Sequence, residues 1–236
     1  MARASSVILV HGAWADGSSW SKVIPLLQAR GLRVTAVQLP LNSLDADVAT
    51  VKRAIVLEDG PTVLVGHSYG GVVITETGDD SKVVGLVYIA AFAPDAGQSA
   101  GSLGASVEPA RLGAEIRSDK DGFLKLTESG VKNDFAQDLT PAEKSVLFAA
   151  QGPTAGAALG GNVSVAAWKN KPSWYLVATA DRAIQPTLQR AMATTIKAKT
   201  IEVTSSHVAM LARPDETANL ILEAAGLIDQ REVHVA

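Results

Sequence analysis

The 236-residue chain contains no cysteine. Disulfides, thiolate metal sites and a cysteine nucleophile are therefore excluded, while the redox compartment stays open. No apolar run reaches the length of a membrane span. Met1 to Ser6 lead into the short run Val7–Val10, with no segment of signal-peptide length. A cytoplasmic protein without a membrane partner is expected. Charge of one sign is also missing. The net charge is −3 and the 21 basic residues are scattered, which argues against a nucleic-acid partner. No cluster of His, Asp and Glu has metal-ligand spacing, and no dinucleotide fingerprint is present. No lysine follows the glycines of Gly66–Gly71, so that segment is not a phosphate loop. Neither a metal nor a cofactor is expected. The chain shows no internal repeat.

Hydrophobic residues make up 47% of the chain, enough for one large core. Short apolar runs alternate with helical stretches, which predicts an α/β fold: a mostly parallel six-stranded sheet with helices on both faces. The predicted strands are Val7–Val10, Arg33–Val37, Val63–Val65, Val83–Ile89, Trp174–Ala178 and Thr200–Val203. Their nearly continuous apolar character fits strands buried on both faces. Helices are predicted near Ser19–Ala29, Leu44–Leu57, Tyr69–Thr77, Thr187–Ile196 and Asp215–Ala225. The stretch from Asp95 to Lys171 is different, rich in glycine and alanine and without alternation. It reads as an insertion (95–171) in a single domain built from 1–94 and 172–236. Within it, Thr140-Pro141-Ala142-Glu143 is a capping box with proline at the first helical position, so a helix should begin there. Ala155 to Gly161 reads as a flexible or closely packed turn.

The chemistry centres on Gly66-His67-Ser68-Tyr69-Gly70, which follows a strand and opens a helix. G-x-S-x-G in that setting is a nucleophile elbow: the glycines allow a tight turn that carries the serine clear of the sheet. Ser68 needs a base, and the base needs an orienting carboxylate. Of the four histidines, His11 and His67 lie inside turn motifs and His234 lies in the C-terminal tail. His207 remains, in the loop after the last predicted strand. The acid should fall between Ser68 and His207. Asp181, in the loop after Trp174–Ala178, fits best; Glu202 lies within a strand.

Val7-Ile8-Leu9-Val10-His11-Gly12-Ala13-Trp14, the elbow, Asp181 and His207 together resemble the α/β-hydrolase superfamily. The segments from Val10 to Trp20 and from Tyr88 to Pro94 are similar to its branch of plant-type methylesterases and hydroxynitrile lyases, with related bacterial esterases. The resemblance implies a serine esterase cleaving small carboxylic esters through an acyl-enzyme, with a Ser68-His207-Asp181 triad. Asp95 is the rival acid, because some relatives place it after the fourth strand. The backbone N–H groups of Ala13 and Tyr69 are the implied oxyanion hole. His11 is expected to shape the oxyanion loop. The 95–171 insertion is the implied lid, with Phe123, Phe148 and Trp168 as substrate-lining candidates. Trp14 either lines the acyl pocket or packs under the lid. A lyase on the same scaffold and a triad-bearing small-molecule receptor are the alternatives. The lyases usually carry threonine directly after the first-loop histidine and lysine directly after the catalytic one. Here those positions are Gly12 and Val208.

Overall fold

The computed structural model describes residues 3–228; Met1, Ala2 and His234 lie outside them. In chain order the strands are β1 (Ser6–Val10), β2 (Arg33–Ala36), β3 (Thr62–His67), β4 (Val83–Ile89), β5 (Ile116–Ser118), β6 (Phe123–Leu126), β7 (Thr154–Ala155), β8 (Ser173–Ala178) and β9 (Lys199–Val203). Six of them form one parallel sheet in the order β2-β1-β3-β4-β8-β9. The expected fold class is the one observed, and each predicted strand lies within a residue or two of its place.

Alternate residues of the central strands enter different cores, as the two-residue period of a pleated strand requires. Ile8, Val10, Leu64, Leu86 and Tyr88 join one apolar cluster with the helices Leu44–Val56, Gly70–Thr77 and Pro186–Thr195. Val7, Leu9, Val63, Val65, Val87 and Ile89 join the other, with Pro214–Ala224 and Ile24–Gln28. Each fully buried Val, Leu or Ile contributes about 1.5–3 kcal/mol. The sheet is therefore stabilised from both faces, and its carboxyl edge is a rigid platform.

Strand order reverses beside β1: the chain steps from β1 to β2 on one side, then returns to place β3 on the other. Loops leaving the carboxyl ends of β1 and β3 diverge there and open a crevice, the usual ligand position of open α/β sheets. The loop His11–Trp14 and the turn at Ser68 face each other across it. Their backbones touch. A Cβ added at Gly70 would sit 2.4 Å from the Val10 carbonyl oxygen and 2.7 Å from that of His11.

Between β4 and β8 the chain adds a second, antiparallel sheet in the order β5-β6-β7. Sequence patterning did not predict it, because strands of three, four and two residues are too short to show a period. The predicted helix is present as Pro141–Ala150. Thr140 Oγ1 accepts from the Glu143 N–H, and the Glu143 carboxylate accepts from the Thr140 N–H. The stretch predicted as a turn contains the short helix Gly156–Gly160, followed by Gly161 close against Leu44.

Gly70→Ala should destabilise the protein by about 3 kcal/mol, because the atoms it would strike belong to backbone that cannot yield. Gly160→Ala, with nothing within 4 Å of the added Cβ, is the control. Urea denaturation of both variants measures the difference; equal midpoints would refute the tight contact.

Candidate active site

Ser68 occupies the turn between β3 and the helix Gly70–Thr77 with φ 53°, in the left-handed region. A non-glycine residue held there costs of order 1–3 kcal/mol. The surroundings impose it. The Ser68 N–H donates to the Ile89 carbonyl at 3.3 Å, and the Ser68 carbonyl accepts from the N–H groups of Gly71 at 3.0 Å and Phe92 at 3.1 Å. β4 and the helix thus grip the peptide groups on either side of the serine. Opposite stands Gly12, where an added Cβ would lie 2.6 Å from Ser68 Cβ and 3.2 Å from its Oγ.

His207 and Asp181 meet as the sequence predicts. His207 Nδ1–H donates to Asp181 Oδ2 at 2.7 Å, and both side chains are buried. That bond selects the tautomer that leaves Nε2 with a free lone pair. Asp181 is held on every side. Its Oδ1 accepts from the N–H groups of Ala183 at 2.7 Å and Ile184 at 3.0 Å, and Oδ2 accepts from Gln189 Nε2 at 2.7 Å. Gln189 is fully buried and accepts in turn from the Ala178 N–H. Sequence reasoning missed it, since a glutamine on an amphipathic helix reads as a solvent-facing residue. Asp95 does not reach the histidine. Its side chain is partly exposed and paired with Lys169 at 2.5 Å, and that ammonium holds its carboxyl below the usual range.

His11 orders the loop after β1. Its Nε2 accepts from the Leu39 N–H at 2.9 Å, so Nδ1 carries the proton and donates to the Gly12 carbonyl at 2.9 Å. The N–H on the far side of that trans peptide is Ala13's, so this bond sets its direction. Among the described residues, no hydrogen bond engages the N–H groups of Ala13 or Tyr69.

Ala13, Ser68, Tyr69 and His207 open into one cavity of about 290 Å³. Of the four aromatic residues expected to line it, Trp14 does. Phe123, Phe148 and Trp168 do not. Trp168 donates from its indole to the Pro94 carbonyl at 2.8 Å and packs on the first core. Phe148 packs on the second core beneath Lys125, and Phe123 pairs with Ala155 in the β6–β7 ladder. Their place is taken by Phe92, Leu112, Ile116, Leu159 and Ile184, together with small residues such as Gly101 and Gly104. Phe92 was findable, because it lies in the loop just beyond the carboxyl end of β4, where sheet topology puts binding residues. No Lys, Arg, Asp or Glu lines the cavity. Among the described residues, no three or more His, Asp or Glu gather as a metal site.

The insertion supports the loops of this site. Asp138 accepts from the Ser206 N–H at 2.7 Å, Gln137 donates to the Ala180 carbonyl at 2.7 Å, and Phe135 packs on the His207 ring. These contacts come from the π-helical turn Val131–Phe135 and the residues just after it.

A model of the alpha/beta hydrolase family matches residues 7–220. The chain belongs to that family. It is 26% identical to a pyrethroid hydrolase of Sphingobium wenxiniae over 94% of this chain and 88% of that protein. It is 30% identical to methylesterase 2 of Arabidopsis thaliana over 60% of this chain and 63% of that protein. Among solved structures, a pyrethroid hydrolase from Sphingobium faniae superposes with a TM-score of 0.80 at 23% identity, covering 94% of this chain and 97% of that one. The hydrolase fold and the kinship with plant-type methylesterases and bacterial esterases, both expected from the residues, are therefore shown.

His67, inside the elbow, is fully buried. Its Nε2–H donates to the His207 carbonyl at 2.9 Å, and the two rings lie 4.7 Å apart. Burial, and then the neighbouring His207, push its imidazole well below the ordinary value of 6.5. Burial also lowers His11. Below pH 6.5 the unfolded chain therefore binds more protons than the folded one. The stability these histidines contribute is complete above that pH and is lost as pH falls toward their folded values. The slope is about 1.4 kcal/mol per pH unit for each histidine. Urea unfolding between pH 7 and pH 5 should show a shallower fall for His67→Gln than for the unsubstituted protein. Equal slopes would contradict the buried neutral histidine.

Proposed function

We propose that the protein is a serine hydrolase of small, uncharged carboxylic esters, working through an acyl-enzyme. The observation that carries this reading is the strained Ser68 turn sharing one apolar cavity with the His207–Asp181 pair. Ser68 Oγ attacks the ester carbonyl carbon while His207 Nε2 takes the hydroxyl proton. Asp181 holds the tautomer and stabilises the imidazolium. The oxyanion is received by the N–H groups of Ala13 and Tyr69, each such donor contributing about 3 kcal/mol in the transition state. His207 then protonates the leaving alcohol. A water, deprotonated by His207, attacks the acyl carbon and releases the acid and Ser68.

The apolar wall favours neutral acyl and alcohol groups, because a buried charge with no partner is strongly disfavoured. The name of the pyrethroid hydrolase agrees with hydrolysis, and that of the methylesterase with an ester substrate. The insertion, which supplies Leu112, Ile116 and Leu159 to the cavity, serves as the lid in this reading.

Hydrolysis is favoured over the lyase reaction of the same branch by two positions. A threonine in place of Gly12 would collide with Ser68. Val208, directly after the histidine, is apolar and buried, so it offers no cation to stabilise departing cyanide.

Ser68→Ala should fold normally and lose about 10⁶ in kcat on phenyl acetate, the loss seen when the nucleophile of a comparable triad is removed. A tenth of the original activity, with contamination excluded, would refute the role. Asp181→Asn should lower kcat about 10⁴-fold through the wrong histidine tautomer, with Asp95→Asn nearly silent. The reverse ranking would assign the acid to Asp95.

A further inference from the structure

Two bulky residues beside the site share the left-handed conformation of Ser68: Trp14, with φ 58°, and Leu41, with φ 56°. Neither is glycine, asparagine or aspartate, so each needs outside support. Both find it in β7, which is two residues long. The Trp14 N–H donates to Thr154 Oγ1 at 3.0 Å, and the Leu41 carbonyl accepts from the Ala155 N–H at 2.8 Å. Trp14 is held a second time. Its indole Nε1–H donates to the Leu124 carbonyl at 3.0 Å, and Leu124 is the β6 residue in register with Thr154. Backbone and ring of Trp14 are thus pinned by one rung of the small sheet.

Each pinned residue leads to an oxyanion donor. Trp14 directly follows Ala13. Leu41 donates its N–H to Asp47 Oδ1 at 2.8 Å, and Asp47 Oδ2 accepts from the Tyr69 hydroxyl at 2.8 Å. Thr154 is fully buried, yet its hydroxyl could serve β7 pairing no better than a methyl group, since the ladder bonds use backbone atoms. The hydroxyl is spent on the loop.

We propose that Thr154 is a positioning residue: its buried hydroxyl, in register with Leu124, holds Trp14 in the left-handed turn that keeps Ala13 against Ser68. Without that acceptor the part-buried Trp14 N–H is unpaired, and the turn relaxes toward right-handed or extended backbone. Ala13 then moves out of line with the developing oxyanion. The loss falls on the transition state, because the Trp14 indole stays bonded to the Leu124 carbonyl and the rest of the apolar wall that binds the ground state is untouched. The inference rests on reading Ser68 as the nucleophile and Ala13 as an oxyanion donor.

Thr154→Val keeps the shape and removes the acceptor; Thr154→Ser restores it. On phenyl acetate the valine variant should lose about tenfold in kcat, the equivalent of one hydrogen bond, with KM within twofold. Phenylboronic acid, which forms a tetrahedral adduct on serine, should bind about tenfold more weakly. The serine variant should match the unsubstituted protein in both. Amide hydrogen exchange of residues 12–15 should quicken in the valine variant and not in the serine variant, a readout that needs no turnover. Where valine at 154 blocks folding, Thr154→Ala takes its place. Trp14→Gly provides a cycle: glycine adopts the left-handed turn unaided, so adding Thr154→Val to it should cost less than twofold further. Unchanged kcat together with unchanged exchange in the valine variant overturns the inference. So does a tenfold loss that glycine at position 14 leaves undiminished. Absence of any ester turnover by the unsubstituted protein refutes the esterase reading, and the exchange rates then decide the clamp alone.

Discussion

The structure depends on the approach of two backbones at the carboxyl edge of the sheet. β1 and β3 are neighbours, their chains leave in different directions, and between them Gly12 meets Ser68 while Gly70 meets the carbonyls of Val10 and His11. No side chain fits in that gap. The helix Gly70–Thr77 can therefore start directly behind the serine, with its N-terminal end toward the cavity. Ser68 is left in a conformation that its neighbours enforce. Strain at this point is tolerated because both faces of the sheet are buried in apolar cores, which supply the stability it consumes.

The other parts converge on this contact from separate elements. β8 delivers Asp181, the loop after β9 delivers His207, and their hydrogen bond joins the two loops. His11 and His67 take no place in the proposed chemistry, yet each donates to a carbonyl of the site: His11 to Gly12, His67 to His207. Both are kept neutral by burial. A neutral His67 adds no positive charge beside the imidazole that becomes cationic in the proposed reaction. The 95–171 segment also reaches the loops of the site. Its π-helical region engages the Asp181 and His207 loops, and its small sheet engages Trp14 and Leu41.

The sheet was legible in the sequence because its strands are buried on both faces and read as apolar runs. The grouping of Ser68, His207 and Asp181 was legible because a motif, a chain order and a position after a strand each single out one residue. The cavity wall was not. Phe123, Phe148 and Trp168 were chosen as the large apolar residues of the insertion, and the insertion packs Phe148 and Trp168 on the cores and places Phe123 in the β6–β7 ladder. Alanines, glycines and Leu112, Ile116 and Leu159 face the cavity instead, and nothing local marks them. Gln189, Asp47 and Thr154 escaped for a related reason. Each is a common polar residue whose role comes from a partner outside its own helix or strand: Asp181, Tyr69 and Trp14. Short-range pattern holds no record of such pairs.

The account stands on Ser68 as the reacting nucleophile. Incubating the protein with a fluorophosphonate and mapping the adduct by peptide mass spectrometry tests this most directly. A single adduct on Ser68, slowed greatly in His207→Ala, is the predicted result. An adduct on another residue, or none while ester turnover continues, would contradict it.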